Sequence, residues 1–303
     1  MKTLATLFIA LALCVGAVWA GDVEDADAAY AKKDYATALK KYKLAAAKND
    51  AYAQLKVGVI YDEGMGVKQD YAEAVQWYKL AAAQGQANAQ FILAFKYDQG
   101  QGVVQDYKEA VRWYKLAASQ GIAGAQFNLG SMYRSGQGVI QDYVEAVRWY
   151  SLAAAQGMAN AQFNLGLMYV KGLGVIQDNV EAVRWYKLAA ERGNASAQLN
   201  LATMYDDGKG VVQDYAEAVR WYKLAAAQGT ANAQSNLASM YFIGQGVTQD
   251  YIRAHMWSNL AAVSNEEDKK KRDVIATKMT PQQIAEAQKL ARECQARKFK
   301  NCD

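Results

Sequence analysis

The sequence predicts an all-α solenoid, a stack of helix pairs with a period of 36 residues. One short motif and two aromatic residues recur with this period, and self-similarity at a fixed spacing is the signature of repeat architectures. The motif Gln-Asp-Tyr, or once Gln-Asp-Asn, begins at Gln69, Gln105, Gln141, Gln177, Gln213 and Gln249. Tryptophan recurs at Trp77, Trp113, Trp149, Trp185, Trp221 and Trp257. Tyrosine recurs at Tyr61, Tyr97, Tyr133, Tyr169, Tyr205 and Tyr241.

One unit, taken from the sixth copy, predicts two helices joined by a turn and followed by a loop. A first helix is expected over residues 215–227, because Asp214 is a good N-cap and apolar residues recur at helical spacing. Gly229 ends this segment, and a second helix is expected over residues 231–242. The loop at 244–247 has glycine on both sides of Gln245, which indicates positive φ angles or close helix packing.

The period divides the chain into predicted segments. Residues 21–33 form an N-terminal capping helix. Six repeats follow at 34–69, 70–105, 106–141, 142–177, 178–213 and 214–249. A degenerate seventh repeat and a charged stretch cover 250–279, and a capping helix with a tail covers 280–303. Terminal units of solenoids need polar caps because they have only one neighbour.

The first twenty residues have the pattern of a signal peptide. Lys2 precedes a short apolar run that ends in Val18-Trp19-Ala20, which fits cleavage after Ala20. We therefore expect an exported chain, periplasmic or secreted, with no stable membrane insertion after cleavage. The net charge of +4 is small and dispersed, so nucleic acid is not an expected partner.

The repeated words "A-x-x-W-Y-x-x-A-A" and "A-x-x-x-L-G-x-M-Y-x-x-G-x-G-V-x-Q-D" resemble the Sel-one-like repeat (SLR) family, a branch of the TPR-like solenoids. The resemblance covers residues 34–262. It implies a right-handed superhelix that serves as an adaptor surface in protein complexes, often exported in bacteria. A protein partner is therefore expected, and the sequence indicates no oligomeric state.

The sequence offers little for catalysis. His255 is the one histidine, and it occupies a position that holds valine in other repeats, so we expect a core residue. Some relatives are associated with β-lactams, but Ser-x-x-Lys, Ser-Asp-Asn and Lys-Thr-Gly do not occur. No enzyme, cofactor or metal site is predicted. A weak β-lactam or cell-wall hydrolase stays open by resemblance alone, and a carbohydrate binder stays open if the tryptophans are exposed.

Two polar rows have competing interpretations. A glutamate precedes an arginine by three residues in four first helices, at Glu109, Glu145, Glu181 and Glu217. We interpret these as exposed ion pairs, with a ligand-binding ladder as the alternative. A glutamine recurs at Gln54, Gln90, Gln126, Gln162, Gln198 and Gln234. We interpret it as a buried tie between helix and loop, with ligand contact as the alternative.

Positions that vary between copies are the predicted partner surface. They lie at the start and near the end of the second helix of each unit. The candidates are Ile122, Met158, Arg134, Val170, Lys171, Asp206, Asp207, Phe242 and Ile243. The apolar members are expected to be exposed, which is unusual outside an interaction surface. Harmless drift, or packing against adjacent loops, is the alternative.

Cys294 and Cys302 remain after cleavage, and an even count in an exported chain suggests one disulfide. On a continuous helix they would be about 12 Å apart, which is too far for a bridge. A disulfide therefore requires the helix to end between them. Two free thiols on a frayed tail are the alternative.

Overall fold

The computed structural model describes residues 21–262 and 266–302, and these ranges contain helices and turns without a strand. The predicted signal peptide, residues 1–20, lies outside them. In chain order the helices are α1 (21–31), α2 (Tyr35–Ala47), α3 (Ala51–Glu63), α4 (Tyr71–Ala83), α5 (Ala87–Gln99), α6 (Tyr107–Ser119), α7 (Ala123–Ser135), α8 (Tyr143–Ala155), α9 (Ala159–Lys171), α10 (Asn179–Glu191), α11 (Ala195–Asp207), α12 (Tyr215–Ala226), α13 (Ala231–Ile243), α14 (Tyr251–Ala261), α15 (Glu266–Ala276) and α16 (Pro281–Ala296). The all-α fold predicted from the period is confirmed.

The helix boundaries follow from caps that recur with the sequence. Before α6, the Asp106 carboxylate accepts hydrogen bonds from the backbone N–H of Lys108 at 2.9 Å and of Glu109 at 3.1 Å. These bonds satisfy N–H groups that have no partner inside the helix. At the other end of a pair, α5 stops at Gly100, whose φ of 67° is left-handed. Aspartate and glycine therefore set the ends of the repeating elements.

The loop between pairs explains the Gln-Asp motif and its glycines. The Gln105 side-chain amide donates to the backbone carbonyl of Asp98 at 2.7 Å, which ties the end of α5 to the start of α6. Gly102 has a φ of 73°, and a Cβ there would lie 2.2 Å from the backbone oxygen of Tyr71. Both reasons offered for these glycines, positive φ and close packing, hold at this position.

The helices group into two compact units, one ending at Trp149 and one beginning at Tyr150, inside α8. In the first unit, α3 packs on α4 and α5 packs on α6. In the second unit, α9 packs on α10, α11 on α12 and α13 on α14. Within each unit, successive helices are neighbours, from α2 to α7 in the first and from α9 to α15 in the second, which is how repeats that bury little alone form a shared core.

Small and large side chains alternate in that core. The first helices contribute an alanine that is completely buried and, four residues later, a buried tyrosine. These pairs are Ala38 and Tyr42, Ala74 and Tyr78, Ala110 and Tyr114, Ala182 and Tyr186, and Ala218 and Tyr222. Alanine lets helix axes approach, and the aromatic ring fills the space and supplies buried apolar area.

The recurring glutamine is a buried tie, as its spacing suggested. Gln198 lies near the start of α11, and its side-chain amide donates to the carbonyl of Ala190 at 3.1 Å. The Gln198 side-chain oxygen accepts from the Gln228 amide at 2.8 Å. The same arrangement joins Gln84 to Gln54 and Gln120 to Gln90, each at 2.8 Å. Each tie connects the ends of two successive first helices through the helix between them.

A disulfide fixes the C-terminal segment that follows α16. A disulfide joins Cys294 to Cys302, with a Cα–Cα distance of 5.2 Å. Helix α16 ends at Ala296, and Lys298, Phe299 and Asn301 adopt positive φ angles that turn the backbone. Phe299 and Cys302 pack against the core of the second unit. The start of α16 is fixed by Thr280 and Gln283, which form a capping box ahead of the helix.

Candidate functional site

The first predicted surface position is a helix N-cap. Asp50, Gln86 and Asn194 occupy it in three repeats, and each side chain accepts a hydrogen bond from the backbone N–H three residues later. Ile122 and Met158 occupy it before α7 and α9 and make no such bond. Both are half-buried, and Ile122 packs against the core of the first unit. The expectation that these two side chains are exposed is wrong, because both are partly covered by the fold.

The second predicted position, near the end of the second helix, is also more buried than expected. Val170 and Phe242 are half-buried and pack against the core of the second unit. The Phe242 ring lies 5.6 Å from the Tyr251 ring, between centroids. Ile243 is 57% exposed and is the one apolar candidate of this surface that the structure leaves open to solvent. Packing against the core, the alternative to a partner surface, therefore accounts for Val170 and Phe242.

The polar candidates have local partners or lie in solvent. Arg134 and Lys171 are exposed. Asp207 pairs with Lys209 at 2.8 Å. Asp206 is half-buried and accepts a hydrogen bond from the Tyr222 hydroxyl at 3.3 Å, and burial raises the pKa of its carboxyl group. Ile122 and Arg134 belong to the first unit and the other seven candidates to the second.

A cleft in the first unit is the feature that the sequence reasoning missed. It has a volume of about 490 Å³ and lies between α3 and α5, the second helices of neighbouring repeats, with α4 behind them. Val59, Phe91, Ile92 and Phe95 supply its apolar lining. Phe95 is 40% exposed, so aromatic surface is accessible to a ligand.

A buried ion pair forms the polar side of this cleft. Lys96 is 5% exposed, and its Nζ donates to Asp62 Oδ1 at 2.5 Å and to Gln101 Oε1 at 3.0 Å. The same nitrogen lies 4.5 Å from the centroid of the Tyr71 ring. A buried charge is tolerated only when it is paired in this way. The pair joins two repeats, because Asp62 belongs to α3 and Lys96 to α5.

Tyr78 of α4 completes the arrangement. Its hydroxyl donates to Asp62 Oδ2 at 3.0 Å. Burial raises the pKa of the Tyr78 hydroxyl, and the nearby Asp62 carboxylate raises it further, so the phenol stays protonated as a donor. Asp62 thus accepts from a lysine and a tyrosine on two different helices.

One signal for this cleft was present in the sequence. Lys96 occupies a position that is apolar in every other second helix. The equivalents are Ile60, Met132, Met168, Met204 and Met240. A lysine in a row of buried methionines indicates a local exception, but its partner Asp62 is 34 residues away and only the fold brings the two together.

The second unit has a smaller cleft, of about 240 Å³, at equivalent positions. Eight of its nine lining residues lie 108 residues, or three periods, after lining residues of the first cleft. The shared positions are Leu167, Val170, Asn179, Tyr186, Asn200, Thr203, Met204 and Lys209. Val170 and Met204 replace Asp62 and Lys96, and Asn200 and Thr203 replace Ile92 and Phe95. The two clefts therefore share a position in the repeat and differ in chemistry.

The tryptophans and the charged residues near them interact within their own helices. Trp149, Trp221 and Trp257 are buried, and Trp77, Trp113 and Trp185 are half-buried. The indole N–H of Trp77 donates to Glu73 at 2.9 Å, and that of Trp149 donates to Glu145 at 3.0 Å. The predicted ion pairs of glutamate with arginine are present. The Arg112 side chain is 60% exposed, and ion pairs in solvent contribute little stability.

His255 is buried, as its position in a valine row suggested. Its Nδ1 has no hydrogen-bond partner in the described part of the chain. Burial lowers the pKa of the imidazole, and Arg272 lowers it further while Asp273 opposes. Within residues 21–262 and 266–302, no group of three or more His, Cys, Asp or Glu residues is placed to hold a metal ion.

Stacked helix pairs with clefts between neighbouring second helices define a TPR-like helical repeat protein. The Sel1 repeat model matches residues 51–86, 87–122, 123–158, 159–194, 195–230 and 231–262. The chain therefore belongs to the Sel1 repeat family, whose members are commonly protein-interaction scaffolds. The repeat as the family model defines it begins at the second helix of the unit used above. Its first match, residues 51–86, therefore contains α3 and α4.

Two solved structures are similar to the chain at the level of sequence. One is c5321, a protective antigen present in uropathogenic Escherichia coli strains, with 38% identity and a TM-score of 0.77 over 84% of this chain. The chain spans only 56% of that protein's length. The other is a Sel1 repeat protein from Oxalobacter formigenes, with 35% identity, a TM-score of 0.69, and coverage of 79% of this chain and 96% of that one. No curated protein matches the chain.

None of the helices in the described part of the chain is both long enough and apolar enough to cross a membrane.

Proposed function

We propose that this chain is an exported interaction scaffold, and that a protein partner docks into the clefts between its second helices. The observation that carries the proposal is the cleft of the first unit, which combines exposed aromatic surface with a fixed ion pair. Interfaces draw their affinity from pockets of this kind, where an anchor side chain is desolvated. Membership of a family of scaffolds supports the same conclusion.

Export is supported by two features of the chain. The N-terminal pattern predicts a cleaved signal peptide, and a disulfide closes the C-terminal tail, which fits an oxidising compartment. One relative is an antigen of a bacterial pathogen, which is consistent with exposure outside the cytoplasm. Mass spectrometry of the protein from a bacterial periplasmic extract tests this. A mature chain that begins at Gly21 is expected, and an intact Met1 with reduced cysteines would contradict export.

Docking into the cleft is tested by site-specific photo-crosslinking. A benzophenone amino acid replaces Phe95, which lies in the cleft and is 40% exposed. The matched control replaces Ile140, an aliphatic residue of the same unit that is 91% exposed and outside the cleft. We expect a discrete crosslinked protein from the Phe95 position alone. Equal products from both positions, or none from Phe95, would contradict a specific cleft.

The structure offers less support for the two alternative functions, a carbohydrate binder and a hydrolase. A carbohydrate-binding stripe needs exposed indoles, whereas the tryptophans are buried or half-buried and Trp77 and Trp149 use their N–H groups on glutamates. A β-lactam or cell-wall hydrolase has only the likeness to some relatives in its favour. Turnover of a chromogenic β-lactam by the purified protein would bring that alternative back.

A further inference from the structure

The cleft of the first unit has a charge that indicates what it binds. Asp62 and Glu63 contribute two negative charges, and Lys96 contributes one positive charge, so the lining carries a net charge of minus one. Lys96 is fully occupied, because its three ammonium protons face Asp62, Gln101 and the Tyr71 ring. An anion would therefore have to displace one of these partners.

The unused groups of the cleft are hydrogen-bond acceptors. Glu63 is exposed, and its carboxylate makes no hydrogen bond or ion pair within the described ranges. The Gln69 side-chain nitrogen donates to the backbone carbonyl of Asp62 at 2.7 Å. The side-chain oxygen of Gln69 then remains as an acceptor for a ligand. A ligand that supplies several N–H donors and a positive charge would satisfy both groups.

The apolar lining adds a second requirement. Phe91, Ile92 and Phe95 offer aromatic and aliphatic surface next to these acceptors. An arginine side chain combines an apolar stem with a planar guanidinium that carries five donors and stacks on aromatic rings. Lysine has a compact ammonium with three donors and matches a carboxylate with a neighbouring amide oxygen less well.

From this complementarity we infer that the cleft between α3 and α5 is an arginine pocket, which receives an arginine side chain of the partner polypeptide. The guanidinium binds at Glu63 and Gln69, and the stem lies on Phe91, Ile92 and Phe95. The ion pair of Lys96 with Asp62 keeps the two second helices in register under the pocket. This inference rests on the proposed scaffold function and specifies the partner's chemistry.

The second cleft provides an internal comparison. The residue equivalent to Glu63 is Lys171, which is exposed but does not line the second cleft, and the ion pair is replaced by Val170 and Met204. The carboxylate that does line the second cleft, Asp207, is already paired with Lys209 at 2.8 Å. The preference for arginine therefore belongs to the first cleft, and Glu63→Lys introduces there the residue type found at position 171.

The test measures binding of short peptides to the purified protein by NMR of the Ile92 methyl group. The probes are acetyl-Leu-Ala-Arg-Ala-Leu-amide and the same peptide with citrulline, which keeps the shape of arginine and removes its charge. We expect the arginine peptide to shift the Ile92 signal and the citrulline peptide to bind about tenfold more weakly. Glu63→Gln should lose the same factor. Glu109→Gln, which removes a half-buried carboxylate of the same unit outside the cleft, should lose nothing.

A charge reversal sharpens the result. In Glu63→Lys, a peptide with glutamate in place of arginine should bind better than the arginine peptide. Equal binding of the arginine and citrulline peptides to the natural protein would overturn the inference, as would an equal loss in Glu63→Gln and Glu109→Gln. If the peptides fail while Phe95 still crosslinks a protein, the arginine pocket falls and the scaffold function stands. If both fail, the docking cleft itself is wrong.

Discussion

Gln162 and Arg192 stand where other repeats place two glutamines, and the bond between them is missing. The Gln162 amide donates to the carbonyl of Ala154 at 3.1 Å, but its side-chain oxygen is buried without a hydrogen-bond partner in the described ranges. Arg192 instead directs Nη1 to the carbonyl of Leu188 at 3.2 Å. One tie of the row is therefore open, and a buried acceptor without a partner costs stability.

Arg192→Gln should close that tie. We expect the local free energy of opening around α9 to α11 to rise by about 1 kcal/mol, because the new amide can donate to the Gln162 oxygen. Native-state hydrogen exchange is the appropriate measurement, since repeat arrays do not unfold as one cooperative unit. Gln228→Arg makes the opposite change at an intact tie and should lower local protection by a similar amount. No change in either variant would show that the ties do not contribute.

The ion pair in the first unit should behave as a coupled unit. Lys96→Met leaves the Asp62 carboxylate buried without its counter-ion, so we expect a loss of about 3 kcal/mol in the stability of that unit. Asp62→Val combined with Lys96→Met copies the natural pair Val170 and Met204, and should recover most of the loss. Urea unfolding with a probe in the first unit measures both. A double variant as unstable as the single one would contradict the coupling.

His255 should make the second unit sensitive to acid. Burial and Arg272 lower the pKa of the folded imidazole below its ordinary value of 6.5, and Asp273 only partly offsets this. The unfolded chain then binds more protons between the two pKa values, so stability is complete above about pH 6.5 and declines as the pH falls below it.

His255→Val, which installs the residue found at Val219, is the matched control for that prediction. Thermal unfolding between pH 5 and 8 should show a decline toward acid in the natural protein and a smaller one in the variant. The same acid dependence in both would assign it to other groups.

The disulfide should hold the end of the second unit. Cys302→Ser opens a short loop, for which the entropy model gives a loss of about 2 to 3 kcal/mol. Cys302 is the better residue to change, because it is half-buried whereas Cys294 is completely buried. We expect weaker protection of α16, measured by hydrogen exchange. A reductant should have the same effect on the natural protein and none on the variant.

The sequence was sufficient for elements that local chemistry specifies. Asp106 caps a helix, Gly102 fits a close approach with positive φ, and both recur with the period, so helix limits were predictable to within a residue or two. It was insufficient where neighbours in space decide. Phe242 was expected in solvent and lies against Tyr251, and Lys96 was visible as an exception although Asp62, its partner, was not.

The glutamine ties also bear on how genes of this kind change length. Each tie joins residues that are 30 positions apart, and the next begins 36 positions later. Recombination that removes residues 51–86 as a block would place Gln90 where Gln54 had been and leave its bond to Gln120 unchanged. Loss of a single residue inside a block would break that alignment. Insertions and deletions of whole 36-residue units are therefore the changes in length that this fold tolerates best.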